Sequence, residues 1–353
     1  MAYTTIDDPS AYFQTKLYTG NDSSRAITFD GNTDMQPDWS WFKARSEAYN
    51  HALFDSVRGT TKLIRSNQTT AEETHSTTLT AFSSNGFSLG GGDAFTNADT
   101  VTYASWHWKA GTAFSNDASS TGVGTIDSTG SVNDTAGFSI ISYTGTGANG
   151  SIKHGLSTAP RAMFFKNLEE GAEGWFVYHE SVGNTKRAGL LNETSAPSTS
   201  STFFQDTSPT SSIITLGSNH GCNGPDKMIC YAFAEKQGYS KFGKYTVSSG
   251  ENNFIYLGFK PACLMVKQTE TGGNLNWGMF DSKRPGFNNA NSFVYANSNA
   301  AEDSSNAHTI DFVSNGLRLR ANTVGVNPGK DYIYFAFAAE PFVSSGGVPA
   351  TAR

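Results

Sequence analysis

Apolar and aromatic residues in this chain come in short runs, broken by glycine-containing pairs or by clusters of Ser, Thr, Asn and Gly. Runs of this length, bounded by turn residues, mark strands rather than helices. Few windows hold an apolar period of three to four residues, so little helix is expected. In the first part of the chain the pattern predicts strands at 13–18, 26–29, 39–43, 52–56, 62–65, 79–82, 87–89 and 101–109. Asp30-Gly31, Arg58-Gly59, Asn85-Gly86 and the glycines at 90–92 supply the turns between them. So many short strands in so few residues indicate a β-sandwich, jelly-roll-like in character.

One strand pattern is written three times. Pro37-Asp38-Trp39-Ser40-Trp41-Phe42-Lys43 returns as Pro160-Arg161-Ala162-Met163-Phe164-Phe165-Lys166 and again as Pro261-Ala262-Cys263-Leu264-Met265-Val266-Lys267. Each copy reads as a buried strand opened by proline and stopped by a charge. Other landmarks keep step. Tyr18-Thr19 matches Tyr143-Thr144 and Tyr245-Thr246, and Trp106 and Trp108 match Tyr231 and Phe233, then Phe335 and Phe337. The first and third copies also share an Asn-Gly turn (Asn85-Gly86, Asn315-Gly316) and an Asp-x-x-Arg step (Asp55 to Arg58, Asp281 to Arg284). In the third copy that step runs on into Pro285-Gly286.

Internal similarity at a fixed period marks a repeat architecture. The expectation is an all-β fold of three tandem lectin-like or jelly-roll β-sandwich repeats, at 12–113, 137–240 and 241–342. An N-terminal arm (1–11) and a polar tail (343–353) flank them. Residues 114–136, almost all Ser, Thr, Gly, Asn, Asp and other small types, read as a flexible linker. On that reading the first repeat is a mobile docking piece and the other two form a rigid block. Thr194–Ser201 reads as a surface loop.

Composition narrows the function. The formal net charge of −6 and a pI near 5.6 give no electrostatic footprint for nucleic acid. No apolar stretch approaches the ~18 residues of a membrane span, and the start of the chain carries no secretion signal. Three cysteines, Cys222, Cys230 and Cys263, lack zinc-ligand spacing; Cys230 and Cys263 sit in apolar runs as core residues, and a Cys222–Cys230 pair is the one disulfide to consider. Neither cofactor nor metal is expected, since no EF-hand-like calcium loop occurs.

A glycan hydrolase needs paired carboxylates at a cleft. Asp55, Glu72, Asp281 and Glu302 are the only acids placed alike in two copies; His179 replaces the aspartate in the second. Asp55 and Asp281 read better as partners of turn amides or of Arg58 and Arg284. His179-Glu180 beside Ser181 lacks a Gly-x-Ser-x-Gly elbow and reads as an exposed loop pair rather than a catalytic one. Trp175 and Trp277 hold matching places, where an indole fills a core or stacks on a sugar. Trp175, Trp277, Asp281 and Arg284 are therefore the candidates for ligand contact, and no catalytic residue is assigned.

The Gln36–Arg45 run, His51 to Gly59, the Ser314-Asn315-Gly316 turn, Ala338-Ala339-Glu340-Pro341-Phe342 and the tail Pro349-Ala350-Thr351-Ala352-Arg353 together resemble a repeated domain of tailed-bacteriophage virion proteins, common in marine phages. The resemblance implies a non-enzymatic structural protein of the virion surface, assembled in the host cytoplasm. A tail fibre or tail appendage is the leading role, with other virion proteins and a host surface glycan as partners. A capsid decoration protein and a glycan depolymerase are the alternatives. Appendages of this type assemble as homo-oligomers, and a trimer around the third repeat is expected.

Overall fold

A computed structural model of the chain describes residues 3–248, 253–272, 275–284, 288–305, 310–320 and 329–351. Pro285-Gly286 and the terminal Ala352-Arg353 lie outside them. The fold is all-β, as expected. For description we refer to residues 12–113, 137–240 and 241–342 as units one, two and three.

Unit one begins with β1 (Phe13–Thr19), β2 (Arg25–Thr28), β3 (Trp39–Ala44), β4 (Ala52–Asp55) and β5 (Gly59–Ile64). It continues through β6 (Glu73–Thr74), β7 (Leu79–Ser83), β8 (Gly86–Leu89) and β9 (Thr102–Trp108). The next strands are β10 (Thr112–Asn116), β11 (Ser128–Asn133), β12 (Phe138–Thr144), β13 (Gly150–Lys153), β14 (Ala162–Asn167) and β15 (Phe176–His179). Unit two ends with β16 (Lys186–Arg187), β17 (Gly189–Leu190), β18 (Ser198–Thr199), β19 (Ile213–Leu216) and β20 (Lys227–Phe233). Unit three holds β21 (Ser240–Thr246), β22 (Asn253–Tyr256), β23 (Phe259–Gln268) and β24 (Trp277–Asp281). Its last strands are β25 (Phe293–Tyr295), β26 (Ile310–Val313), β27 (Gly316–Leu319) and β28 (Asp331–Pro341).

Three large antiparallel sheets share one strand order. They run β1-β9-β3-β4-β5, β12-β20-β14-β15-β17 and β21-β28-β23-β24-β25. The register agrees as well: two residues beyond each anchor proline, Trp39 faces Trp108, Ala162 faces Phe233 and Cys263 faces Phe337. Pro261 sits at a bulge, where its missing N–H removes no ladder bond. A smaller sheet (β2-β8-β7, β13-β19 or β22-β27-β26) accompanies each large one. At its β8 turn, Gly86 has φ +124 and a Cβ there would meet the Ile27 carbonyl at 2.0 Å, so only glycine fits; Gly316 is crowded alike by Ile255 O at 2.1 Å.

The anchor strands are buried on both faces, which is why they read as continuous apolar runs. In β3, Trp39 and Trp41 point into a core shared with the other units, while Phe42 points into a separate core with Ile27, Phe54 and Phe87 under the small sheet. β14 divides in the same way, with Phe164 in the shared core and Met163 and Phe165 in the second. The shared core is aromatic. Trp39 stacks on Tyr231 with centroids 4.4 Å apart, and Phe164 on Phe335 at 5.1 Å. Such pairs add about 0.5–1.5 kcal/mol beyond burial. Side chains of all three units, Trp39, Phe164 and Met265 among them, wall a residual cavity of about 20 Å³ at its centre.

The structure corrects several expectations. Residues 114–136 carry most of β10 and all of β11, which extend the unit-two sheet through β12. Ser128 is buried in that sheet and its hydroxyl donates to Lys153 O. A Ser/Thr-rich composition suits coil and hydrogen-bonded strand equally. Unit one is no detached piece either, because Trp39 and Trp108 pack against Phe233 of unit two, and Phe13 and Trp108 against Phe337 of unit three. The 194–201 segment contains β18 and the start of a short helix (Ser201–Phe204) capped by Ser200. The N-terminal arm is fastened down: Thr4 Oγ1 donates to Gln237 O, and Asp7 accepts from Ser345 N and Oγ in the tail.

Candidate functional site

The charge that was expected to stop each anchor strand is instead buried. Lys43, Lys166 and Lys267 are all fully inaccessible, on the centre-facing side of their strands. Backbone carbonyls cap each ammonium: Ala44 and Glu47 for Lys43, Thr69, Asn167 and Glu173 for Lys166, and Leu275 for Lys267, which also lies 5.4 Å over the Trp277 ring. Burial pulls the amines down to about 8, about 8 and about 7 respectively.

At the end of β4, Asp55 is completely buried. Its Oδ2 accepts from Arg58 Nε at 2.5 Å and from the Tyr231 hydroxyl of unit two at 2.6 Å. Its Oδ1 accepts the amides of Val57 and Arg58. Arg58 also binds Glu72 at 3.1 Å. Burial lowers the guanidinium pKa, but Asp55, Tyr231 and Glu72 together outweigh it and leave the group more basic than usual. At the end of β24, Asp281 repeats the pattern, with Arg284 Nε at 2.6 Å and the indole N–H of Trp106 in unit one at 3.2 Å. Arg284 binds Glu302, which in turn accepts from Nε and Nη2 of Arg45 in unit one, each at 2.9 Å.

His179 occupies the corresponding end of β15. It is buried rather than exposed in a loop, since β15 ends on it and the next unit covers it. Ser181 N donates to Nδ1, so the single ring proton rests on Nε2 and is given to Tyr334 O of unit three at 3.1 Å. Its ring stands edge-on to Phe335 at 5.0 Å. Burial pulls the imidazole down to about 4. Exposed Glu180 pairs separately with Arg161.

A second set of contacts runs the other way around. Trp175 Nε1 donates to Arg65 O of unit one at 2.8 Å, and Trp277 Nε1 to Leu190 O of unit two at 3.0 Å. The matching residue in unit one is His51. Its Nδ1 accepts from Trp41 Nε1, leaving Nε2–H to donate to Tyr295 O of unit three at 3.0 Å. Asn67, Asn192 and Asn297 accept the backbone N–H of His51, Trp175 and Trp277 respectively. Reading the sequence for repeated residue types missed His51, because the shared property is a flat ring with one N–H. Its signal was its distance from Pro37, close to that of the two tryptophans from their prolines.

Each unit therefore touches both others, and the three close into a ring. The four candidate ligand residues, Trp175, Trp277, Asp281 and Arg284, are all buried inside its seams and reach no ligand-accessible surface. The cysteines are free and buried, without a Cys222–Cys230 bond. Several features of the described residues face outward. A cleft of about 200 Å³ between units one and three includes Gln14, Thr15, Asp30 and Lys283, with Lys283 paired to Asp30 at 3.1 Å. On β22, Phe254 and Tyr256 are about half exposed. Glu170, Glu173 and His220 also lie together near the surface, with His220 3.6 Å from Glu170. Among the described residues no helix is long and apolar enough to cross a membrane.

The side chains of Asp55, Asp281 and His179 thus join one large sheet to the next. The chain belongs to the family described as Domain of unknown function (DUF7483), whose model matches residues 8–341. No curated protein and no solved structure matches it.

Proposed function

We propose that this chain is a non-enzymatic structural protein on the surface of a tailed-phage virion, serving in a tail fibre or appendage. We also read it as three copies of one sandwich unit closed into a ring. The observation that carries the scaffold role is the placement of Asp55, Glu72, Asp281 and Glu302. A hydrolase would hold such acids free at a cleft, whereas here each is engaged by Arg58 or Arg284 at a seam. The sequence resemblance to virion proteins supports the setting. Immunogold labelling of purified particles, with copy number from quantitative mass spectrometry, tests it. Labelling confined to the tail at low copy number is expected. Absence from the particle, or hundreds of copies over the capsid, would overturn the tail assignment. Release of reducing sugar from host envelope by the pure protein would overturn the non-enzymatic one.

A further inference from the structure

β1, β12 and β21 hold the same place in the three large sheets, each beside the last strand of its unit. In an antiparallel ladder, opposite residues alternate between those that exchange N–H···O bonds and those whose amides point away. Lys109 N donates to Tyr12 O at 3.0 Å. Gln14 and Lys16 therefore bond to β9, while Phe13 and Thr15 turn their amides outward. The equivalent outward residues are Phe138 and Ile140 in unit two, and Ser240 and Phe242 in unit three.

Units two and three give these outward groups partners of their own. β11 lies along β12, with Asn133 opposite Phe138 and Ser131 opposite Ile140. In unit three, Ser240 N donates to Lys236 O at 2.9 Å and Phe242 N to Glu235 Oε2 at 3.4 Å. Unit one differs. Among the described residues, the backbone N–H and C=O of Phe13 and Thr15 meet no such partner. The Thr15 hydroxyl is likewise buried without one. Both residues are buried, and a buried amide left unpaired costs about as much as a lost hydrogen bond. Both also line the cleft of about 200 Å³, to which unit three contributes Ala262, Ala338 and Ala339.

We propose that the β1 edge takes a short extended segment of a partner protein as an added strand, rich in Gly, Ser and Thr. An extended backbone offers N–H and C=O groups together, repeating every second residue at about 6.6 Å. Those are the groups that Phe13 and Thr15 leave open. β11 shows the composition that suits this edge. It reads Ser-Thr-Gly-Ser-Val-Asn, and a Cβ on Gly130 would meet Ile140 O at 1.9 Å. The alanine walls of the cleft ask for the same small residues. No charged ligand is called for, because Asp30 already takes both Lys283 and Lys16. In a second copy of this chain the matching strand, β11, is paired on both sides, so the segment comes from another protein.

The isolated full-length chain is the material for the test, so failure here leaves the particle experiment standing. The probe is the capped peptide Ser-Thr-Gly-Ser-Val-Asn, titrated into the isotope-labelled chain with amide exchange read by NMR. At a peptide concentration of about ten times Kd, exchange at Phe13 and Thr15 should slow about tenfold. Thr15→Pro removes an outward N–H and no ladder bond. It should weaken the peptide about tenfold, as loss of one hydrogen bond does. A peptide N-methylated at the serine matching Ser131 should protect neither amide, and this arm decides the matter if Thr15→Pro does not fold. The inference fails if the peptide leaves Phe13 and Thr15 unprotected, if the methylated peptide protects them as well, or if folded Thr15→Pro binds like the parent. It also fails if light scattering shows a dimer in which these amides are already protected, since a second copy would then occupy the edge.

Discussion

The seam closed by Asp281 and the seam closed by His179 join the same faces with opposite chemistry. At the first, a buried carboxylate and guanidinium face each other, and the neighbouring unit offers an N–H to the carboxylate. At the second, one neutral ring fills the place, and the neighbouring unit offers a carbonyl to its proton. A charged pair is therefore not required to join these units. It is required once either charge is present, because each alone would be buried without compensation.

The comparison breaks most sharply at Arg284. Arg284→Ala leaves Asp281 buried with Trp106 and two amides, and we expect a loss of about 3–5 kcal/mol in urea unfolding. Arg58→Ala should cost a similar amount at the matching seam. A double replacement by apolar residues of like volume should recover much of the loss.

The neutral seam should show itself through pH. Burial holds His179 near 4 and His51 near 3, below the ordinary value of 6.5. As pH falls through 6.5 the unfolded chain takes up protons that the folded one refuses, so the histidine contribution to stability is complete above 6.5 and drains away toward 4. At 1.36 kcal/mol per unit, the effect is on the order of 3 kcal/mol for His179. His179→Gln should flatten the profile. The buried lysines give the same sign at higher pH: stability should rise from about 7 toward 10 as Lys267, Lys43 and Lys166 lose protons in the folded state before the unfolded one.

Trp277→Phe keeps the aromatic area but leaves Leu190 O without its indole donor, for an expected loss of about 1–3 kcal/mol. Smallest is the effect at half-exposed Phe254 on β22. Phe254→Ala should change stability by about 0.5 kcal/mol or less, the ordinary range for surface positions.

Much of the architecture was legible because short apolar runs bounded by turn residues mark strands directly. The expected strands of unit one lie within a few residues of β1 to β5 and β7 to β9; only the short β6 was missed. The aromatic landmarks Trp106, Tyr231 and Phe335 lie on matching strands, yet nothing in the sequence said that each faces a different unit. That information resides in contacts of different type, a carboxylate to a hydroxyl, a carboxylate to an indole, and an imidazole to a carbonyl. The lysines misled because a charge ends a strand in solvent by default; the carbonyls that cap them come from neighbouring loops whose course a local pattern does not report. Residues 114–136 misled for the converse reason, since their small polar residues pair their backbone in β10 and β11.

Hydrogen exchange by mass spectrometry at rising urea tests the central claim, that the seams make the three units one cooperative body. The account predicts that peptides covering β3, β14 and β23 lose protection together, with the same urea dependence. Loss of protection in β1 to β9 while β14 and β23 remain protected would contradict it.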